Sequence, residues 1–455
     1  MRRWTIGIVG GGPGGLLTAY RLEQLAAIPP QLTIFESSDR LGGKVQTAGF
    51  SSQAARYEAG AAEFYDYSAI DEDPLKDLVG ELGLATVPMG GATAISDGHL
   101  IETLDDLAHH VGPVGHDAYV AFDRRAKAAV SPREFYEASP AAPVAEGDDQ
   151  TRFSQSLHGL PTTVRRYLEH LMHSDLATEP AATSQRYGLD NYVMNDPAYM
   201  RLYCIAGGNE QLIERLAARL TATVRLRHRV TAISSDPSGQ LRLVWQTPAT
   251  EGQQHFDAIV LALPVEPLGR LSFAEPELAA AMGRHLAHHD HPGHYLRISM
   301  LFERPFWRAW LRDSYCMLDA FGGCCLYDET AREPEAAHGI LGWLLGGEAA
   351  QQHATLPDEQ LVSLALTSLP DAWRPDKSQV REARVHRWIG AVSGQPGGFS
   401  SLSHDRRHQP DPAGHPRLLV VGDYLFDSTL NGVLDSAEYA ASWLATMMGE
   451  EDYVA

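Results

Sequence analysis

The sequence has 455 residues, of which 44% are hydrophobic and 21% charged, and a formal net charge of −21 at pH 7. This length exceeds the size at which a single hydrophobic core stops growing, so we expect two domains. The negative charge disfavours a nucleic-acid partner, whose phosphates need lysine and arginine, and is compatible with attraction of a cationic substrate.

The sequence carries no pattern typical of export or of a membrane. No apolar run reaches the roughly 18 residues that a membrane helix needs. The first apolar run breaks at once into glycines, which is unlike a secretory signal. The cysteines show no C-x-x-C spacing and are interpreted as reduced thiols; they are Cys204, Cys316, Cys324 and Cys325. We therefore expect a cytoplasmic protein with no membrane partner, and leave a homodimer open.

The beginning of the chain predicts a nucleotide-binding unit. Residues 5–9 (TIGIV) and 32–36 (LTIFE) are short apolar runs typical of buried strands. Between them, a glycine-rich turn opens a helix with apolar residues at helical spacing. The turn satisfies G-x-G-x-x-G with Gly10, Gly11, Gly12, Pro13, Gly14 and Gly15. Strand, turn, helix and strand in this order predict a dinucleotide-binding fold.

Each part of this unit has a physical task. Gly10 permits a tight turn, Gly12 lets the backbone approach a pyrophosphate, and Gly15 lets helix and strand pack closely. The helix N-terminus offers free N–H groups and a positive dipole end to phosphates. Glu36 ends the second strand, where it can accept hydrogen bonds from ribose hydroxyls.

The next segment points to the type of cofactor. Glu36 is followed by Arg40, Gly42, Gly43 and Lys44 in the register E-x-x-x-R-x-G-G-[RK]. In this the sequence resembles the flavin-containing amine oxidase family, which includes monoamine, polyamine and amino-acid oxidases. The resemblance implies FAD, with this segment wrapping the pyrophosphate and the flavin ring.

Two later blocks resemble the same family. Residues 204–216 (CIAGGNEQLIERL) match a glycine pair that leads into a helix, and Val230 would then present its backbone to the adenine end of FAD. Near the C-terminus a buried strand runs into Gly422 and Asp423. The resemblance implies that Asp423 accepts hydrogen bonds from the ribityl chain or the pyrophosphate; a turn or N-cap acid is the alternative.

The resemblance implies that the helix starting after Gly432 points its positive end at the pyrimidine edge of the flavin, with Gly432 and Val433 among the cofactor-binding residues. Some family members attach FAD through a cysteine in the C-terminal blocks. This sequence has none there, so we expect non-covalent FAD.

The spacing of the cofactor blocks predicts a fold class and a domain division. We expect an α/β fold with a discontinuous, Rossmann-type FAD-binding domain and a mixed α+β substrate domain. The FAD-binding domain is assigned to residues 1–90, 204–284 and 385–455, and the substrate domain to 91–203 and 285–384. Pro, Ala and acidic residues at 138–151 predict a flexible surface loop.

The resemblance places three candidate side chains around the reacting atoms. The family lysine that holds a water near the flavin falls at Arg297, which cannot deprotonate and prefers a carboxylate or carbonyl. Arg297 is therefore a substrate anchor, a cause of slower reoxidation, or a salt-bridged strand residue. Trp388 and Tyr424 are expected to form an aromatic cage for the amine, although Trp388 also suits a plain core position.

The stretch EAGAAEF matches a family segment that packs on the flavin through Gly60 and Ala61. Amino-acid oxidases that resemble this chain often have an arginine where Glu63 stands. A carboxylate there would repel a substrate carboxylate and attract an ammonium group. The alternative is an exposed loop acid, because further acids follow it.

A histidine-rich segment at 285–294 is interpreted as a polar loop and not as a metal site. We predict an FAD-dependent oxidoreductase that oxidises a C–N bond of a small-molecule amine or amide to an imine, with O₂ as acceptor, and that suits biosynthetic tailoring. The alternatives are an L-amino-acid oxidase with Arg297 as carboxylate anchor, a flavin-dependent desaturase or isomerase, and a non-enzymatic flavoprotein scaffold.

Overall fold

The protein is described by a computed structural model that covers residues 3–91, 93–137, 151–236, 239–375, 377–399 and 402–454. The predicted surface loop lies outside these residues except for Thr151. No helix in the described part of the chain is long and apolar enough to cross a membrane.

A parallel sheet forms the first half of the fold. In the described chain it has five strands in the spatial order β10-β2-β1-β14-β21. They are β1 (Thr5–Val9), β2 (Gln31–Phe35), β10 (Thr223–Arg225), β14 (Ala258–Leu261) and β21 (Leu418–Val420). Their continuous apolar runs suit strands that are covered on both faces. The strand, turn, helix and strand predicted at the beginning of the chain are confirmed.

A larger sheet forms the second half. Within the described residues it has seven strands in the order β20-β16-β19-β18-β17-β7-β8. They are β7 (Ala94–Ser96), β8 (His99–Ile101), β16 (Pro292–Phe302), β17 (Tyr315–Leu318), β18 (Cys324–Asp328), β19 (Gly339–Gly346) and β20 (Val380–Ser393). The predicted domain boundary at 385 falls within β20, and the domain division stays a prediction.

Smaller sheets connect these two. They contain β3 (Thr47–Gly49) with β4 (Arg56–Glu58); β5 (Phe64–Asp66), β6 (Thr86–Met89) and β9 (Arg201–Ile205); and β11 (Arg229–Ser235), β12 (Leu241–Gln246), β13 (Glu251–Phe256) and β15 (Ser272–Phe273).

The helices cover the faces of the sheets. They are α1 (Pro13–Leu25), α2 (Pro74–Glu81), α3 (Leu104–Ala129), α4 (Pro132–Glu137), α5 (Phe153–Ser156), α6 (Thr162–Leu176), α7 (Gln185–Met194), α8 (Gln211–Arg219), α9 (Val265–Leu268), α10 (Pro276–His289), α11 (Gly347–His353), α12 (Asp358–Ser368), α13 (His404–His408) and α14 (Leu430–Val454).

Each large sheet has its own hydrophobic core. In the first, Leu16 and Leu17 of α1 and Leu444 of α14 are completely buried beside strand β1. In the second, Trp307 and Trp343 are completely buried against the larger sheet and α12. The two large sheets thus pack against different cores.

Replacement of Trp343 should test the second core. Its side chain is 0% exposed and its indole N–H donates to Ser368 Oγ at 3.1 Å. Trp343→Ala should lower the free energy of unfolding by about 3–5 kcal/mol, because a large cavity remains and the Ser368 contact is lost. Chemical denaturation measures the change. Trp310→Ala is the control, since Trp310 is 38% exposed, and an equal loss in both variants would contradict the assignment of this core.

Candidate active site

The surroundings of Gly15 and Gly12 suit the tasks predicted for them, which are close packing at Gly15 and approach of a pyrophosphate at Gly12. A Cβ on Gly15 would lie 2.0 Å from Gly10 O, so only glycine lets α1 pack this closely on the strand. A Cβ on Gly12 would instead meet only Gly43 Cα, at 3.9 Å. The backbone of Gly12 therefore faces open space between the turn and the Gly42–Gly43 loop. The helix that follows has no side-chain cap, which leaves its first N–H groups available to an anion.

The predicted ribose acid is already oriented by the backbone. Glu36 Oε2 accepts a hydrogen bond from Gly11 N at 2.9 Å, and Glu36 Oε1 accepts one from Ser38 N at 2.7 Å. The backbone N–H of His228 donates to Glu36 O at 2.8 Å, which ties β11 and its Val230 to the end of β2. Val230 itself is buried and paired with Trp245.

Arg40 and Lys44 have different partners. Arg40 Nη2 donates to Gly43 O at 2.5 Å and to Gln46 Oε1 at 3.0 Å, so Arg40 braces the glycine loop from within. Lys44 Nζ lies 2.5 Å from Asp423 Oδ2 and 2.6 Å from Ala391 O. Lys44 thus connects this loop to the C-terminal block.

The C-terminal block closes the same region. A Cβ on Gly14 would lie 3.5 Å from Val433 Cγ1, so the first turns of α1 and α14 are neighbours. Gly432 N donates to Thr429 Oγ1 at 3.1 Å, and Gly422 N donates to Ser436 Oγ at 3.2 Å. A cavity of about 380 Å³ adjoins Asp423.

The residues present fit a flavin dinucleotide. The open space at Gly12, the N-termini of α1 and α14, the acid at the end of β2 and the cavity beside Asp423 provide donors, acceptors and space, and the Lys44–Asp423 ion pair joins the glycine loop to the cavity wall. The glycine turn, the Arg40–Lys44 loop and the Asp423 block would hold the cofactor.

One face of the seven-stranded sheet supplies the candidate substrate wall. Strand pairing places Arg297 opposite His386 and Leu344, Leu344 opposite Cys325, and Tyr295 opposite Trp388. Directly paired residues and residues two apart project from the same face. That face therefore carries Trp388, His386, Tyr295, Arg297, Cys325, Tyr327 and Tyr315.

Arg297 is fixed by a buried carboxylate. It is 1% exposed, and its Nη2 lies 2.5 Å from Glu329 Oε1. Its guanidinium also lies 4.9 Å from the centre of the Tyr327 ring, and Nη1 lies 3.5 Å from Gly60 O. The positive charge of Arg297 is thus already balanced, and the arginine reaches the loop that carries Gly60 and Ala61.

Glu329 continues into an alternating chain of buried charges. Its Oε2 lies 2.7 Å from Arg332 Nη2, and Arg332 Nη1 lies 2.5 Å from Glu58 Oε1. Glu58 N in turn donates to Glu329 Oε2 at 2.8 Å. We call Glu58, Arg332, Glu329 and Arg297 the buried charge network.

Glu63 lies at the end of this network and is not an exposed loop acid. Its Oε2 is buried and has no hydrogen-bond partner within the described residues. Burial raises the pKa of Glu63 above its usual range, although the nearby Arg297 charge and the Tyr327 hydroxyl act in the opposite direction. A carboxylate with spare acceptor capacity therefore faces the sheet.

Asp175, at the C-terminal end of α6, is a functional candidate that the sequence did not reveal. Burial, together with the nearby Glu63 charge, raises the pKa of Asp175 to about 7. Asn195 Nδ2 donates to Asp175 Oδ2 at 3.1 Å. The charges of Glu63 and Asp175 both act on Tyr65 and Tyr295, so these four side chains are near one another.

All four side chains are partly buried. We give the name active-site chamber to the cluster of side chains whose charges act on one another here: Glu63, Tyr65, Asp175, Tyr187, Tyr295, Tyr315, Cys325 and Tyr327. In the sequence, the tyrosines on strands look like ordinary strand residues. Only the pairing of the strands shows that they share a face.

The two predicted cage rings have different hydrogen-bond partners. Trp388 lies on the sheet face, where its indole N–H donates to Ala59 O at 2.7 Å. Tyr424 is 1% exposed, and its hydroxyl lies 3.2 Å from His285 Nε2. The described rings beside Tyr424 are those of His285 and His289, at 5.8 and 5.1 Å.

The histidine-rich segment was predicted as a polar loop, and this prediction is wrong. Helix α10 extends to His289, and β16 begins at Pro292. His285 and His289 are buried one turn apart in α10, where burial lowers the pKa of both imidazoles, that of His285 to about 3. Among the described residues, no group of three or more His, Cys, Asp or Glu side chains is placed to hold a metal ion.

A substitution at Gly60 should test the cofactor cradle. A Cβ there would lie 1.8 Å from Lys44 O, so Gly60→Ala must displace the loop that joins Lys44 to the sheet face. We expect at least a tenfold weaker affinity for FAD, measured by quenching of flavin fluorescence on titration. Gly80→Ala is the matched control, because a Cβ at Gly80 meets nothing within 4 Å. Unchanged FAD affinity in the folded Gly60 variant would contradict this cradle.

Comparisons with known proteins identify the family of this chain. The family model described as flavin containing amine oxidoreductase matches residues 13–444. The chain is 23% identical over 439 residues to probable polyamine oxidase 4 of Arabidopsis thaliana, which covers 92% of this chain and 80% of the relative. It is 27% identical over 263 residues to the flavin-dependent L-tryptophan oxidase RebO of Lentzea aerocolonigenes, covering 50% and 51% of the two chains.

The fold also matches a solved structure. A solved structure of putrescine oxidase bound to putrescine superimposes with a TM-score of 0.72 at 18% sequence identity, covering 98% of this chain and 99% of that one. The match confirms a Rossmann-type cofactor domain combined with a substrate domain. With the family model spanning nearly the whole sequence, this chain belongs to the flavin-containing amine oxidoreductase family and is an oxidoreductase with a flavin cofactor.

Proposed function

We propose that this enzyme oxidises a C–N bond of a small cationic amine to an imine, with non-covalently bound FAD as cofactor and O₂ as the final acceptor. The observation that carries the proposal is Glu63 Oε2, a buried carboxylate oxygen in the active-site chamber that has no hydrogen-bond partner among the described residues. A carboxylate in this position favours an ammonium group and disfavours an anion.

The walls of the chamber support the same substrate class. Tyrosine rings attract cations through their electron-rich faces and exclude water from the reacting carbon. When bound, FAD supplies the two-electron oxidation of the C–H bond next to nitrogen, and O₂ regenerates it. The protein orients the amine between the chamber acids and the sheet face that carries Trp388 and Arg297.

The pairing of Arg297 with Glu329 disfavours an amino acid as the substrate. An amino-acid oxidase would need a cation free to bind the substrate carboxylate. Arg297 is 1% exposed and paired with Glu329 at 2.5 Å, so its charge is already balanced. The partial similarity to an L-tryptophan oxidase makes amino acids the second candidate class.

We propose that FAD is not covalently attached, because of where the cysteines lie. All four are buried free thiols, and Cys316, Cys324 and Cys325 lie on strands of the larger sheet. Denaturation should release the whole of the flavin into solution, and flavin that stays with the precipitated chain would contradict this proposal.

A substrate panel tests the proposed function. Purified protein loaded with FAD should lose its flavin absorbance under anaerobic conditions with one or more amines, and should release peroxide when air is admitted. Primary and secondary amines, diamines and amino acids of matched size form the panel. Reduction by amino acids alone would overturn the amine proposal in favour of the second class. Reduction by amines with very slow reoxidation in air would indicate a dehydrogenase or desaturase.

Arg297→Lys tests the role of the arginine in the oxygen reaction. The lysine keeps a cation beside Glu329 but can lose a proton, as arginine cannot. We expect faster reoxidation of the dithionite-reduced enzyme, followed by stopped-flow absorbance after mixing with O₂. Arg387→Lys is the control, since Arg387 pairs with Asp358 at the surface. An unchanged or slower rate would remove Arg297 from the oxygen reaction.

A further inference from the structure

His289 lines the cavity beside Asp423, and neither of its ring nitrogens has a hydrogen-bond partner among the described residues. We propose that His289 binds a hydroxyl group of the ribityl chain of FAD and thereby fixes the flavin half of the cofactor. The inference rests on FAD as the cofactor in the proposed function, and it adds a residue of α10 to the cofactor site.

The imidazole of His289 can both donate and accept a hydrogen bond. Its side chain is 1% exposed, and both Nδ1 and Nε2 are buried. A neutral imidazole carries one N–H donor and one acceptor nitrogen. Because buried polar groups in folded proteins are nearly always hydrogen-bonded, two open positions on one buried ring indicate a bound ligand or ordered water. The cavity volume of about 380 Å³ far exceeds the roughly 10–15 Å³ that one water needs, which favours a ligand.

The surroundings of His289 keep its ring neutral. Burial lowers the pKa of His289, and the neighbouring His285 and His288 lower it further. The ring centre lies 4.6 Å from that of His285 and 5.1 Å from that of Tyr424. A neutral imidazole offers no charge to a pyrophosphate, but it matches a hydroxyl group, which also donates and accepts.

The other histidines near this end of α10 are less suited to this contact. His285 Nε2 lies 3.2 Å from the Tyr424 hydroxyl, and His288 Nε2 lies 3.0 Å from Gly397 O, so each already has a partner. His291 also lines the cavity and has an unpartnered Nε2 among the described residues, but it is only half-buried. His291 is therefore the alternative that the experiment must exclude.

The order of the parallel sheet indicates which part of the cofactor reaches the cavity. Dinucleotides lie across the carboxyl ends of the strands, with the pyrophosphate at the N-terminus of the first helix. Glu36, the predicted ribose acid, ends β2 on one side of β1, while β14 and β21 follow on the other side. Residues that follow β14 and β21 line the cavity; they are Pro264, Val265, Asp423 and Tyr424. The flavin half would therefore lie over this cavity.

The glycine turn is close to the cavity wall. A Cβ on Gly14 would lie 3.1 Å from Val421 Cγ1 and 3.8 Å from Ala262 Cβ. Val421 is separated from the cavity residue Asp423 by Gly422 alone. In FAD the ribityl chain directly follows the pyrophosphate and carries the hydroxyl groups of this half. The ribityl chain is thus the part of FAD that reaches the cavity first.

The charges on the cavity wall disfavour a phosphate group as the occupant. The acids Glu266, Asp290 and Asp423 line the cavity, together with the cation Arg270. Arg270 pairs with Glu266, and Asp423 pairs with Lys44 at 2.5 Å. Because the acids outnumber the cations on this wall and both cations are paired, a neutral polyol suits the cavity better than an anion.

FAD analogues that each lack one ribityl hydroxyl group test the contact without turnover. The apoprotein is titrated with FAD and with each analogue, and binding is followed by quenching of flavin fluorescence. The wild type should bind FAD roughly tenfold more tightly than one of these analogues, the scale of one buried hydrogen bond. His289→Phe keeps a buried ring but removes both nitrogens. It should bind FAD roughly tenfold more weakly than the wild type does, and should no longer distinguish FAD from that analogue.

Two further variants separate a hydrogen bond from packing. His285→Phe changes a buried ring one turn earlier in α10, and it should keep the wild-type preference for FAD over the analogue. If His289→Phe weakens the binding of FAD and of every analogue by the same factor, the ring acts through packing alone and the inference is overturned. Loss of the preference in His291→Phe, with the preference kept in His289→Phe, would also overturn it.

The wild-type protein provides a measurement that does not depend on the folding of a variant. Its histidines are labelled with nitrogen-15, and the ring resonances are compared between the enzyme bound to FAD and the enzyme bound to the weaker analogue. One neutral imidazole should shift, because it loses a hydrogen bond, and its resonance should be missing in His289→Gln. A histidine spectrum that is the same with FAD and with every analogue would overturn the inference.

The outcomes for this inference and for the proposed function can be told apart. A folded wild type that binds no FAD contradicts both. A wild type that binds FAD and all the analogues with equal affinity contradicts only the His289 contact, and the proposed function stands.

Discussion

The buried charge network is the interaction on which the two halves of the enzyme depend. Arg297 comes from the larger sheet, Glu329 and Arg332 follow its strand β18, and Glu58 comes from β4 beside the cofactor loop. Two arginines and two glutamates alternate, so each charge has an opposite neighbour. Burial of these four charges carries a free-energy penalty, because each one loses its contact with water. Removal of any one member leaves an unmatched buried charge. Its geometry therefore holds the sheet face and the Gly60 loop in one fixed relation.

The network also explains why Glu63 has unusual properties. Arg297 already has Glu329 as its partner, so Glu63 is an additional acid with no cation of its own in the described chain. A ligand cation can supply the missing charge. The chamber thus lacks a positive charge to balance Glu63. This missing positive charge is the physical basis for selecting an amine over a carboxylate.

The cofactor half could be predicted from sequence because its signals are local. The strand, glycine turn, helix and acid at the beginning of the chain occupy consecutive positions, and each has a conformational reason. The same holds for the turn at Gly422 and the helix that follows. The chamber could not be predicted in this way. Asp175 lies in the last turn of α6, far in sequence from Glu63, and Tyr295 and Tyr327 share a face only through the pairing of β16, β19 and β18. The prediction of a polar loop at 285–294 was wrong because it treated histidine only as a polar residue. The buried residues of α10 follow helical spacing and include two of these histidines; they are Leu278, Ala281, Met282, His285 and His289.

The order of the parallel sheet has a consequence for how the holoenzyme is made. Strand β1 lies between β2 and β14, which are separated by more than 200 residues of sequence, and the edge strand β21 begins only at Leu418. The N-terminal glycine turn and the block around Asp423 therefore meet only after the roughly 400 residues between them have been synthesised. Such non-local pairing folds slowly and exposes apolar strands while it is incomplete. A flavin that binds only the folded state should then raise the yield of folded protein when it is present during synthesis.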